Sequence, residues 1–167
     1  MGMIACYQMT DDKMISELLE KSAEEVFEAI EELQEVDRTV LDIDKCWDGI
    51  HFLLTEVTAS EPLEGNPLSE SVVGVKKICD DEDADFISYI PQDRVPAIMN
   101  ELKLFDIESA IAEFNPKEFA QNGIYPNIWM HEDKEELQEE LNECFWALLK
   151  FYEKAVELGR AVIVSIY

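Results

Sequence analysis

From Lys134 to Leu158 the chain reads KEELQEELNECFWALLKFYEKAVEL, and this run constrains the fold more than any other stretch. Leu137, Leu141, Cys144, Phe145, Leu148, Tyr152 and Ala155 recur every three or four positions and form one apolar helical stripe, which the rest of the chain has to cover. Gly159 is placed to end the helix. After Arg160 comes AVIVSIY, a β-branched apolar run of the kind that makes a buried strand. A long amphipathic helix that feeds directly into such a strand points to helix and sheet sharing one core.

The remaining segments fit that frame. Met3 to Met9 (MIACYQM) reads as an N-terminal strand, followed by a helix capped by Thr10. Ser22-Ala23-Glu24-Glu25 is a capping-box pattern, and Val26, Ile30 and Leu33 mark the inner face of a second helix. LDIDKCWDGIHFLLT, residues 41–55, predicts a helix from near Asp44 with Ile43, Trp47, Ile50 and Leu54 on one face. A loop to Pro67, a short helix ending at Gly74, an acidic loop over 80–85 and a strand FISYI over 86–90 come next. A helix is expected from Pro91 to about Phe105, and two short ones over 107–114 and 116–121. The whole predicts a single α+β domain over 1–167, a small mixed sheet that includes both terminal strands and packs against several helices on one side.

Charge narrows the function. The chain holds 13 basic and 38 acidic residues, a net charge of −25, yet is 47% hydrophobic, so it is no disordered acidic tail. A nucleic-acid backbone or an anionic membrane would be repelled, whereas a basic protein or a cation would be attracted. No stretch approaches the apolar length of a membrane span, and no signal peptide is evident. Four cysteines at 6, 46, 79 and 144 form no C-x-x-C pair, and the expected setting is a reducing cytoplasm.

Candidate chemistry gathers in two places. Asp44, Asp48 and His51 fall along one edge of the predicted helix at i, i+4 and i+7, with Asp42 nearby. With His131 from a distant acidic loop they could make a two-histidine carboxylate metal site, although helix capping by Asp42 or Asp44 explains the same residues, and no metal is expected. Asp81, Asp83 and Asp85 match the first ligand positions of an EF-hand loop, but Phe86 and Gln92 stand where Gly and Glu are required, which excludes it. No G-x-S-x-G, P-loop or G-x-G-x-x-G is present, so no cofactor is expected. Trp47, Tyr125 and Trp129 could line a pocket or a partner surface; packing as core or lid residues is the plainer reading of all three.

LDIDKCWDGIHFLLT, followed by Asn66-Pro67-Leu68 and Gly74, resembles the hallmark of the YfbM-like proteins, a bacterial family of unknown function. The opening MGMI, the IYPNIW segment and the ending GRAVIVSIY after FYEKAVELG agree with it. One departure is the stretch DADFISYIPQDRV, where the family often carries a glycine-rich GYGPAR-like sequence. The resemblance implies one cytosolic α+β domain over 1–167 and brings no catalytic residues. It draws attention to Asp42, Asp44, Lys45, Trp47, His51, Tyr125, Pro126 and Trp129. The functional expectation is a protein-binding module of immunity or inhibitor type with a basic partner. The alternative is an enzyme, or a small-ligand or metal binder, with a pocket between Asp44, Asp48 and His51 and the Tyr125–Trp129 segment.

Overall fold

The computed structural model describes residues 2–36, 39–79 and 86–167, so the acidic loop expected over 80–85 lies outside the described residues. Five strands form one sheet: β1 (Ala5–Thr10), β2 (Leu41–Asp42), β3 (Lys76–Lys77), β4 (Phe86–Ile90) and β5 (Ala161–Ile166). Their order is β2-β1-β5-β4-β3. The fold class is the expected α+β, but every pairing is antiparallel rather than mixed. The β-branched run of β5 takes the centre, pairing Val164 with Tyr7 of β1 and with Ser88 of β4.

That central place explains a second correction. All six residues of β5 are buried, so both of its faces must be covered, and helices lie on both sides of the sheet instead of one. Val162, Val164 and Ile166 join Ala5, Tyr7 and Ile90 in the principal core. Its helices are α3 (Trp47–Thr55), α4 (Pro67–Val73), α5 (Val95–Leu104) and α8 (Lys134–Leu158), with the short α6 (Ile107–Ala112) and α7 (Pro116–Gln121) at one end. Ile163 and Ile87 point the other way, into a smaller core with Leu18, Val26 and Ile30 of α1 (Asp12–Leu19) and α2 (Ala23–Val36).

Local chemistry sets the helix ends. Asp11, not Thr10, caps α1, because Thr10 is drawn into β1 and the Asp11 carboxylate accepts the Met14 amide at 2.8 Å. Ser22 and Glu25 form the capping box: the Ser22 amide donates to Glu25 Oε2 at 2.9 Å and the Glu25 amide to Ser22 Oγ at 3.4 Å. Helix α8 spans the predicted bounds and ends at left-handed Gly159, φ 62°. Helix α5 starts at Val95 rather than Pro91, with Pro96 in its first turn.

The C-terminus of α4 is closed by other elements. Tyr152 of α8, Tyr7 of β1 and Ser88 of β4 donate to the carbonyls of Ser71, Val72 and Val73 at 2.6, 2.7 and 2.6 Å. These are carbonyls a helix leaves without partners of its own. Burial pushes both phenols well above their ordinary pKa, so they remain donors. Beside them, buried Glu70 pairs with Arg94 at 2.6 Å, and Arg94 also donates to the Gly65 carbonyl at 3.1 Å.

Candidate functional site

The residues of LDIDKCWDGIHFLLT divide into two groups. The Asp42 carboxylate accepts the Asp44 amide at 2.7 Å, and Asp44 takes φ 51°, a left-handed conformation that aspartate tolerates. A 3-10 turn over Asp44–Cys46 then leads into α3 at Trp47. The turn carries Asp44 away from the helical edge on which Asp48 and His51 lie. Asp42 and Asp44 are exposed, whereas Asp48 and His51 are 3% and 0% exposed.

Both buried side chains bind the chain itself. Asp48 Oδ1 accepts the Ala59 amide at 2.7 Å and the Thr58 hydroxyl at 3.1 Å, and Oδ2 accepts the Tyr125 amide at 2.8 Å. The His51 Nδ1–H donates to the Val57 carbonyl at 2.9 Å, which can only accept, so the proton sits on Nδ1. Nε2 therefore accepts from Ser69 Oγ at 2.8 Å, and Ser69 Oγ accepts the Leu63 amide at 3.0 Å. Burial holds the imidazole pKa below its ordinary value, against the opposing pull of the Val57 carbonyl and of Asp48. The Ser69–His51 pair has the spacing of a nucleophile and its base, and both are buried, at 1% and 0% exposure. Together the two residues staple segments 57–63 and 124–125 to α3.

The aromatic candidates are fixtures of the same scaffold. Trp47 stacks on Tyr125 with centroids 5.3 Å apart. Its Nε1–H donates to the Met3 carbonyl at 3.0 Å, while the Met3 amide donates to Tyr125 Oη at 2.8 Å. Trp129 is buried against Phe114 and Phe119, and its Nε1–H donates to the Ile124 carbonyl at 2.7 Å. A Cβ at Gly49 would lie 2.7 Å from the Trp129 ring, so this position of α3 needs glycine for the close approach. His131 is exposed, while His51 is fully buried. Among the described residues no group of three or more His, Cys, Asp or Glu side chains could hold a metal. Cys6, Cys46 and Cys144 are buried, and a hydrogen bond to Cys144 together with burial pushes the Cys46 thiol up, away from thiolate chemistry.

An open feature lies at the other end of α3, where sequence reasoning placed nothing. The last turn of α3, the α5–α6 junction and the start of α7 enclose a groove of about 410 Å³. Its floor is aromatic: Phe119 meets Phe52 and Phe114 edge-on, each at 4.8 Å, with Phe105 alongside. Glu56, Asp106, Glu113 and Glu118 line its sides, and among the described residues no Lys, Arg or His does. Asp106 caps α6, and its hydrogen bonds to the Ser109 hydroxyl and amide hold its carboxyl below the usual range, so it is ionised at neutral pH. The C-terminal end of α3, with no basic residue in its last turn, adds the negative end of its dipole. Such a groove attracts a cation with an apolar body. The spacing Glu113-Phe114 and Glu118-Phe119 carried the signal, but it becomes a surface only once α6 and α7 turn toward α3.

Comparison with known proteins places this architecture among others. Residues 1–165 match the family described as a domain of unknown function, DUF1877. The protein YfbM of Escherichia coli (strain K12) is 28% identical over 163 residues, covering 98% of this chain and 93% of YfbM. The crystal structure of YfbM from Escherichia coli, titled as a protein of unknown function, matches with a TM-score of 0.78 at 26% identity. That match covers 98% of this chain and 99% of the other.

Proposed function

The chain belongs to the DUF1877 family, and we propose that it is a protein-binding module for a cationic partner. The reading is of immunity or inhibitor type: a compact acidic domain that occupies a basic surface of another protein in the cytoplasm. The observation that carries it is the groove between α3, α6 and α7, aromatic below and lined by Glu56, Asp106, Glu113 and Glu118. Apolar walls focus the field of those carboxylates, and the net charge of −25 steers a basic partner toward them. An enzyme or metal site built on Asp44, Asp48 and His51 has less support, because Asp48 and His51 direct their hydrogen bonds to the chain itself.

The test is a pull-down from the native host with two charge-reversed variants. Glu113→Lys/Glu118→Lys alters the groove; Glu28→Lys/Glu32→Lys makes the same change in charge on exposed positions of α2. The wild type and the α2 variant retain the same basic protein at low salt and release it at high salt, where the screening length falls from ~10 Å to ~3 Å. The groove variant does not retain it. Equal behaviour of the two variants, or no basic protein retained by the wild type, refutes the proposal.

A further inference from the structure

A second concavity has the opposite character. A cavity of about 330 Å³ opens beside the sheet, walled by Met3, Trp47, Pro62, Phe86 and Ile166, with Lys77 of β3 among its lining residues. This is at the small end of the ~300–1,000 Å³ range of small-molecule sites. Among the described residues no carboxylate lines it. Lys77 Nζ lies 5.5 Å from the Phe86 ring centroid. The ion pairs among the described residues are Arg94–Glu70 and Lys154–Glu157, so Lys77 has no carboxylate partner there. A ring holds an exposed cation only weakly and leaves its charge unneutralised.

The walls of this cavity are what the buried polar network positions. Asp48 holds the Ala59 amide and His51 the Val57 carbonyl, which fixes the segment leading to Pro62. Trp47 and Tyr125 clamp the Met3 backbone from its carbonyl and its amide. The segments on either side of the opening are therefore set before any ligand arrives, which lowers the ordering cost of binding. We propose that this cavity is a binding site for a small aromatic carboxylic acid, its ring against Trp47 and Phe86 and its carboxylate on Lys77. Among the described residues that line the cavity, Lys77 is the one charged side chain.

The experiment titrates the full chain with naphthalene-2-carboxylate and, separately, with its neutral amide, by calorimetry and by NMR of the Trp47 indole N–H. The carboxylate is expected to bind about tenfold or more tightly than the amide, the size of one charge-assisted hydrogen bond, and to shift the Trp47 signal. Lys77→Gln removes the preference and leaves amide binding unchanged, whereas Lys76→Gln, which alters the neighbouring lysine outside the cavity lining, keeps it. Equal affinity for acid and amide overturns the proposal. So does binding that leaves the Trp47 indole unmoved, an equal loss in both lysine variants, or no binding of either probe.

Discussion

Two polar regions are buried to the same depth in this domain and behave in opposite ways. Beneath α3, Asp48 and His51 are 3% and 0% exposed, and their hydrogen bonds reach segments with no regular structure of their own. Across the sheet, on the face covered by α1 and α2, Gln8 and Ser165 are 3% and 2% exposed. There Gln8 Oε1, Ser165 Oγ and Gln34 Nε2 have no partner among the described residues. The first region converts polar burial into geometry, because Asp48 accepts from the Ala59 and Tyr125 amides and His51 donates to the Val57 carbonyl, which fixes those segments. The second only bears the desolvation cost, about 1–3 kcal/mol for an unpaired buried group. Depth alone does not tell what a buried polar side chain does; its partners do.

The sharpest way to break that contrast is Asp48→Ala. It leaves the Ala59 and Tyr125 amides and the Thr58 hydroxyl without an acceptor, and is expected to lower stability by about 3 kcal/mol in urea unfolding. A loss under ~1 kcal/mol would make Asp48 no different from Ser165.

His51→Gln sharpens the contrast through pH. Burial holds the folded pKa below the ordinary 6.5, so the unfolded chain takes up the proton first as pH falls. The contribution of His51 is intact above about 6.5 and declines from there as pH falls through the lowered folded value. The variant, about 1–2 kcal/mol less stable at neutral pH, shows a flatter stability curve across that window. Parallel curves for the two proteins would remove histidine linkage from the account.

The smallest effect belongs to the other face. Ser165→Ala is expected within about 0.5 kcal/mol of wild type, or slightly more stable, in thermal unfolding followed by circular dichroism. Destabilisation beyond ~1.5 kcal/mol would mean that the hydroxyl is paired after all.

Local signals carried much of the fold. The stripe of α8, the Ser22–Glu25 box, Gly74 and Gly159 as helix ends, and the β-branched β5 are all written within a few residues of where they act. The antiparallel order and the cover on both faces were not legible, because both depend on β5 sitting between β1 and β4, and pairing is a long-range outcome. The strands Leu41–Asp42 and Lys76–Lys77 are two residues each and leave no period to detect. In the candidate site, Asp48 and His51 stood out as residue types at helical spacing. What spacing could not supply was direction: the 3-10 turn moves Asp44 off their edge, and Ser69, Val57 and Tyr125 arrive from elsewhere in the chain.

Helix α4 is seven residues long, too short to persist by itself in water. Its last carbonyls are held by hydroxyls that β1, β4 and α8 bring from distant parts of the sequence. Asn66 caps its start and Gly74 ends it, but nothing local holds those last three carbonyls, so it behaves as a capstone: the sheet and the long helix must both be in place before it locks. Its amides should then exchange with solvent only when the entire domain opens, and damage to any of the three donors should register first in that one helical turn.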